Sequence, residues 1–391
     1  MNARSILPLF FGLTSLTAIA CAAPVATQGE QGSAEEPAAE AIDGAEVASR
    51  LSGAVGSAVD HARGGELPET DGAMAAPITE LVVQPGGPSE TVYEVLSYAF
   101  GIATDVQVGG SMKGAVADKS SFAPLSVTVR PVKPGASPLM SRLVTGMHLD
   151  KLVLRQRTTG TPGTKAAATT EIAEFETAIV GAMTTGIQNG TMDSFEIAFG
   201  KLTLKLPGSK EGVVSHDVMT NQSTGEALCG PHSAAALGPY VQADPSWKLP
   251  MGAVRIDSAS VAISNSGSMS PTGTAGAGTA RLEQIAIDMP MEKTGVCALY
   301  YSTLGARVPT VRIDAASSVD KGGSIVLDQR WEACDAYATQ VFFSGGAGQT
   351  PRQTIVLTAE GVVRTDYASG KSMGTFGWSF AENKAIASCS K

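Results

Sequence analysis

From residue 78 onward, the sequence predicts a mainly β (all-β) protein of two tandem barrels of antiparallel strands, each with one short α-helix. Short runs rich in Val, Ile, Thr and Leu are separated by clusters of Gly, Pro, Ser and Asn, the pattern of short strands joined by turns. Apolar and polar residues alternate over 202–206, which indicates one buried and one solvated face. The order of these runs in 78–208 recurs in 246–391, and this repeat predicts two units.

The first residues have the features of an export signal. One positive charge at Arg4 precedes an apolar run over 6–20 that is shorter than the ~20 residues of a membrane span, so 1–20 is predicted to be a signal peptide. Residues 18–21 resemble a bacterial lipobox, which makes Cys21 the candidate lipidation site. Plain cleavage after an Ala-x-Ala triplet is the alternative. We expect an exported periplasmic or outer-membrane lipoprotein, or one at the cell surface.

The next segment, 21–77, is predicted to be a disordered acidic tether. Residues 22–77 hold no aromatic residue and ten acidic residues against Arg50 and Arg63, so they cannot bury enough apolar surface to fold. Most of the formal net charge of −9 lies in this tether. The remainder is nearly neutral, which argues against nucleic acid as a partner.

In the first unit, 78–208, six runs are predicted to be strands and one segment to be a helix. Ser137 is a suitable N-cap, Pro138 suits the first helical position and Gly146 suits the end, so 137–146 is predicted to be helical. The predicted strands are 80–84, 93–104, 125–131, 149–156, 172–184 and 194–206.

The second unit, 246–391, follows the first in the same order. Residues 252–263, 282–290, 293–307 and 308–314 correspond to 93–104, 125–131, 133–148 and the strand after it. We also expect 355–365 followed by 376–380 to correspond to 175–185 followed by 195–199. Residues 209–245 are interpreted as the connection between the units.

Four cysteines besides Cys21 lie in the second half of the chain. An even number of cysteines in an exported chain favours disulfides, and four cysteines allow three pairings. Cys297–Cys334 is our first candidate for a bridge, and four buried thiols are the alternative.

Five pieces of the first unit, at 93–102, 126–132, 133–139, 145–149 and 195–203, carry a family resemblance. In this order and spacing they resemble the haemolysin-coregulated protein (Hcp) family, the tube protein of type VI secretion. The resemblance implies a small barrel of two antiparallel sheets with a helix at its side. It also implies hexameric rings that stack into tubes and carry effectors in the lumen.

This chain departs from the family pattern, because family members are single barrels without a signal peptide. With two barrels in one chain, three copies would form a pseudo-hexameric ring. The implied partners are therefore the chain itself or another protein, together with a membrane contacted through the lipid anchor.

Enzyme chemistry is the competing class. His216-Asp217 is a possible metal or base pair but is interpreted as a loop dipeptide, and no HExxH motif is present. Residues 370–374 fit G-x-S-x-G, yet a strand follows Ser372 where a nucleophile elbow needs a helix. We predict no enzyme, no cofactor and no metal site, and keep a periplasmic hydrolase using Ser372 or His216 as the less favoured alternative.

The main hypothesis is a non-enzymatic, exported, Hcp-like protein that acts by self-assembly or by binding a protein. A tube or effector-carrier component of a type VI-like apparatus is its first alternative. We expect contact surfaces at an edge strand, 80–84, and at the loops after Ile102 and Ile263. Trp378 alternates with Phe376 and Phe380, and this face is predicted to be core.

Overall fold

The fold is described from a computed structural model over residues 77–87, 89–104, 106–107, 116–117, 120–131, 137–158, 168–187, 191–206, 213–265 and 279–389. The predicted signal peptide, Cys21, the tether and the loop after Ile263 lie outside the described residues. In the described part, the predicted class is confirmed: the structure is mainly antiparallel β-sheet with three short α-helices. No helix there is both long and apolar enough to cross a membrane.

The first half of the described chain contains a closed ring of six strands, called the first ring. Its cyclic order is β1-β2-β5-β8-β7-β6, and every neighbouring pair is antiparallel. The strands are β1 (Ile78–Val83), β2 (Thr91–Ala103), β5 (Ser121–Val129), β6 (Leu149–Thr158), β7 (Ala168–Ile187) and β8 (Thr191–Ala198), with a separate small pair, β3 (Val106–Gln107) and β4 (Val116–Ala117).

The sheet continues from the first ring into a hairpin. Strand β9 (Lys201–Lys205) pairs with β7, then β10 (Val213–Asp217) pairs with β9 and β11 (Gln222–Thr224) with β10. The pair β10–β11 is called the first hairpin.

The second half contains a second closed ring. Its cyclic order is β12, then β13 and β14 as one nearly continuous strand, then β15-β18-β17-β16 and back to β12. Strands β19 and β20 extend β18 as the second hairpin. The strands are β12 (Tyr240–Gln242), β13 (Val254–Ile256), β14 (Ser258–Asn265), β15 (Ala280–Pro290), β16 (Val308–Val319), β17 (Ile325–Gly346), β18 (Arg352–Ala368), β19 (Lys371–Ser379) and β20 (Lys384–Ala385).

The two rings share one strand order and several backbone details. Both long strands, β7 and β17, contain a non-glycine residue with positive φ, Thr177 (53°) and Asp335 (50°). In both strands, the register of pairing with the next strand shifts four residues after that position, at Gly181 in β7 and at Thr339 in β17. The rings differ at their first strand, because β12 pairs parallel with both neighbours whereas β1 pairs antiparallel.

One helix lies beside each ring, between corresponding strands. The predicted helix is confirmed as α1 (Pro138–Thr145): the Ser137 hydroxyl accepts from the Met140 amide, and Gly146 ends the helix with φ 65°. Its counterpart α3 (Lys293–Thr303) lies between β15 and β16, and a short helix, α2 (Glu226–Cys229), lies between the rings in sequence.

Three expectations drawn from the sequence are wrong in detail. Strand β1 is no edge, because β2 and β6 pair with its two sides. Strand β18 occupies the place of β8 and β9, so the counterpart of 175–185 lies in β17 and not at 355–365. The predicted connection, 209–245, includes the first hairpin and also β12, which is a strand of the second ring.

The predicted bridge Cys297–Cys334 is also wrong. The structure pairs Cys229 with Cys297, which joins α2 to α3, and Cys334 with Cys389, which ties the C-terminal segment to β17. The reason is tertiary: α2 packs on α3, so Cys229 is the sulfur next to Cys297.

Candidate assembly interface

The two rings are joined by a pair of strands, called the ring junction. Residues 97–103 of β2 pair antiparallel with 340–346 of β17, with Phe100 opposite Phe343 and Gly101 opposite Phe342. The phenyl groups of Phe100 and Phe343 stack with their centroids 5.3 Å apart, so the apolar core is continuous across the junction. The junction therefore joins the rings through both backbone hydrogen bonds and core packing.

Close backbone approach at the junction depends on glycine. A Cβ added at Gly101 would lie 2.4 Å from Cδ1 of Phe342 and 2.6 Å from the carbonyl oxygen of Val341. A Cβ at Gly346 would lie 2.2 Å from the Leu96 carbonyl oxygen. Side chains at these positions would force the two strands apart, because ordinary carbon contacts are about 3.5–4.0 Å.

Polar groups of the first ring also reach the second ring beside the junction. The hydroxyl of Thr104, which follows β2, is hydrogen-bonded to the hydroxyl of Ser302 in α3 at 2.9 Å and to the hydroxyl of Ser120 at 2.8 Å. All three residues are buried. Thr79 of β1 donates to the Gly346 carbonyl at 3.0 Å. Buried hydroxyls with partners cost little, so these contacts add to the strand pairing that joins the rings.

The first hairpin and α2 cover α3 of the second ring. A Cβ added at Gly225 would lie 2.9 Å from both Val214 of β10 and Tyr300 of α3, which shows how tightly these elements pack. Tyr301 of α3 donates its hydroxyl to the Cys229 carbonyl, and the Cys229–Cys297 bridge lies alongside.

His216 is part of this cover. Its imidazole stacks on the phenyl group of Phe122 with the centroids 4.9 Å apart, and its Nδ1 lies 2.8 Å from the Ser223 hydroxyl oxygen. Ser223 donates onward to Thr303 of α3 at 2.6 Å, and Thr303 donates to the Tyr300 carbonyl, so Nδ1 is the donor to Ser223. Burial holds the pKa of His216 below its ordinary value, although the neighbouring Asp217 acts in the opposite direction.

Two strand edges remain that match the two sides of the ring junction. In the described residues, the 179–187 part of β7 pairs with β8 alone, and β14 pairs with β15 alone. The 182–186 part of β7 occupies the place of 340–344 in β17, and β14 occupies the place of the 97–103 part of β2. The chain thus presents one further copy of each side of its own junction.

The other residues named from the sequence lie apart from one another. Ser372 lies in β19 opposite Tyr367, just after the β18–β19 turn, and the residues that follow it are a strand, as the sequence predicts. The expected core face of β19 is wrong at Phe376, whose side chain is 59% exposed, whereas Gly377 and Ser379 are buried. Among the described residues no group of three or more His, Cys, Asp or Glu side chains is arranged to hold a metal ion.

Sequence reasoning missed the β7 and β14 edges. The strands themselves were predicted, but whether a strand has one neighbour or two depends on the whole ring. The signal that could have found them is composition: exposed positions such as Ala182, Thr184 and Ser260 are small or polar, without the lysines that often protect free edges.

Residues 88–206, which span most of the first ring, match the family model described as "Type VI secretion system effector, Hcp". Solved structures similar to this chain include Hcp1 from Salmonella typhimurium, with 17% identity over 38% of this chain and 99% of that one at a TM-score of 0.28. The secreted protein Hcp3 from Pseudomonas aeruginosa has 15% identity over 37% and 98% at 0.24. A type VI secretion system effector from Yersinia pestis has 15% over 38% and 98% at 0.21. No match was found among curated proteins.

Proposed function

We propose that this chain is a non-enzymatic structural protein built of two Hcp-like barrels, and that it assembles by repeating its ring junction between copies. The observation that carries the proposal is the pair of strand edges on β7 and β14. They correspond, position by position, to the two strands that already pair within the chain. The match of 88–206 to the Hcp family model supports the same class of protein.

The internal junction predicts the register between copies. Val341 lies opposite Ile102 and Phe342 opposite Gly101 within the chain. The corresponding pairs between copies are Met183 with Ile263 and Thr184 with Ala262. Ala262 carries a Cβ where the internal junction has Gly101, so the strands of neighbouring copies would lie slightly further apart at this position than the two strands of the internal junction do.

This contact is head to tail, because the β14 edge of one copy meets the β7 edge of the next. Such heterologous contacts give a closed oligomer when the rotation from one copy to the next returns to the first copy. Since each chain supplies two barrels, three copies would give a ring of six barrels. Closure would also pair both of these edges, which protects the strands against unspecific aggregation.

The N-terminal segments place this assembly outside the cytoplasm in our proposal. Residues 1–20 would direct export, Cys21 would be acylated, and the acidic 21–77 tether would let the rings stand away from a membrane. A tube or carrier component of a type VI apparatus is the alternative, favoured by the match of 88–206 to a family of type VI secretion proteins. Radiolabelled palmitate on the wild-type chain but not on Cys21→Ser supports the anchored form, and an unlabelled chain in the culture medium supports the carrier.

The test of assembly is mass in solution by multi-angle light scattering, with negative-stain images of the same fractions. We expect a trimer with six-lobed rings. Ala262→Lys would place a charge in the strand edge and should give a monomer, whereas Ser318→Lys, at an exposed position near the end of β16, should leave the trimer intact. A wild-type chain that is monomeric at all concentrations would overturn the proposal.

A further inference from the structure

We propose that, in this assembly, the second hairpin of one copy covers helix α1 of the next copy. The inference rests on the proposed function, because it needs the neighbour that the strand edges recruit. It adds a second, side-chain-mediated surface and names the residues on both sides.

Helix α1 has an apolar face that nothing in the described structure covers. Met140 and Val144 lie one turn apart on the helix, and Met147 directly follows Gly146, which ends it; the three residues are 50%, 74% and 56% exposed. These three residues are called the α1 stripe. The opposite side of the helix holds the buried Leu139, and the main contact of α1 is with β7 of its own ring.

The corresponding face of α3 is covered. Counted back from the glycine that ends each helix segment, Gly146 and Gly305, the stripe positions correspond to Leu299, Thr303 and Ala306. Leu299 is fully buried and Ala306 is 5% exposed. Thr303 accepts the hydroxyl of Ser223, so the first hairpin lies against this part of α3.

The second hairpin has the same geometry as the first. Each has a four-residue turn that ends in an asparagine with positive φ, Asn221 (53°) and Asn383 (48°). Counting from these asparagines, Phe376 corresponds to Val214 and Trp378 to His216. Val214 is fully buried under the first hairpin's contact with α3, whereas Phe376 is 59% exposed.

The order of the rings decides the occupant. Within the chain, the contact between the two rings is made by β2 and the first hairpin of the first ring and by β17 and α3 of the second ring. In the next contact around the assembly, the second ring supplies β14 and the second hairpin, and the first ring of another copy supplies β7 and α1. One neighbour therefore brings Phe376 to the α1 stripe while its β14 pairs with β7. Methionine sulfur beside an aromatic ring is a favourable contact, which suits Phe376 to Met140 and Met147.

The experiment is photocrosslinking of the full chain with p-benzoyl-phenylalanine in place of Phe376. Benzophenone reacts readily with methionine, so we expect crosslinked peptides that contain Met140 or Met147. Mixing isotopically labelled and unlabelled chains should show that these crosslinks join different copies. The same probe at Met251, which is fully exposed, should not crosslink to α1.

A paired substitution measures the contribution of the contact. Val144→Asp should weaken association about tenfold or more, because a carboxylate replaces an apolar side chain that assembly buries. Val319→Asp, at an exposed valine at the end of β16, should leave association unchanged. Trimers in which the Phe376 probe crosslinks elsewhere would overturn the hairpin contact and leave the strand-edge assembly standing. Monomers of the wild-type chain at all concentrations would overturn both.

Discussion

The glycine at the centre of the ring junction offers a sharp test of how the two rings are joined. In Gly101→Ala, the added Cβ would lie 2.4 Å from Phe342 Cδ1 and 2.6 Å from the Val341 carbonyl oxygen. Each distance is about 1 Å short of an ordinary contact. The Phe342 ring can turn away, but the carbonyl belongs to the strand ladder and moves only if the strands separate. Overpacking of this kind costs about 1–3 kcal/mol.

The assay is urea unfolding of the full chain, followed by circular dichroism and by tryptophan fluorescence. With a slope of about 3 kcal/mol per molar urea, we expect the midpoint to fall by roughly 0.3–1 M. All three tryptophans lie in the second half of the chain, so fluorescence reports the second ring while circular dichroism reports both. Weaker coupling of the rings should therefore also separate the two transitions.

Gly374→Ala is the matched control, because a Cβ at that position of β19 meets nothing within 4 Å. It should be neutral or stabilising by about 0.4–1 kcal/mol, since alanine has less freedom to lose on folding. In the double variant Gly101→Ala/Phe342→Ala, part of the Gly101→Ala cost should disappear, because only the carbonyl contact remains. Equal midpoints for Gly101→Ala and Gly374→Ala would refute the close junction.

Three further predictions concern the remaining stabilising contacts. Replacing both Cys229 and Cys297 by serine should lower the free energy of unfolding by about 4 kcal/mol, from the entropy of the loop that their bridge closes; a loss below 1 kcal/mol in urea unfolding would contradict this. His216 has a folded pKa below its unfolded value, so the unfolded chain binds more protons and stability should fall as pH drops through 6.5 and below. His216→Gln should flatten that pH dependence in urea titrations at pH 7.5 and 5.0, and an unchanged profile would show that other groups cause it. Asp314→Asn should cost about 2–3 kcal/mol, because the carboxylate is 2% exposed and paired with two arginines. Asp366→Asn, at an exposed ion pair, should destabilise the fold much less, and equal thermal shifts for the two variants would contradict the role of burial.

Local features of the fold were predictable because local sequence determines them. The cap at Ser137, the proline after it and the glycine at 146 define α1, and the structure uses each of them in the expected role. Alternation over 202–206 likewise predicts β9, whose inner residues Leu202 and Leu204 are fully buried. Such patterns depend on residues a few positions apart, so one sequence suffices to find them.

Contacts between distant segments escaped prediction. Cys229 and Cys297 become neighbours only because the first hairpin and α2 fold back over α3. Phe376 was expected in the core because alternation tells which residues share a face but not which face is covered. Strand β1 was expected at an edge because pairing on its second side comes from β6, far along the chain.

The sequence by itself determined the β class, the positions of most strands, both helices beside the rings and the order that repeats between the two halves. Hydrophobic periodicity and turn residues carry that information along the chain. Only the tertiary structure decided how the strands close into rings, which cysteines pair, and which strand edges and apolar side chains remain without a neighbour. These are properties of surfaces, and a surface exists only once strands from distant parts of the chain have come together.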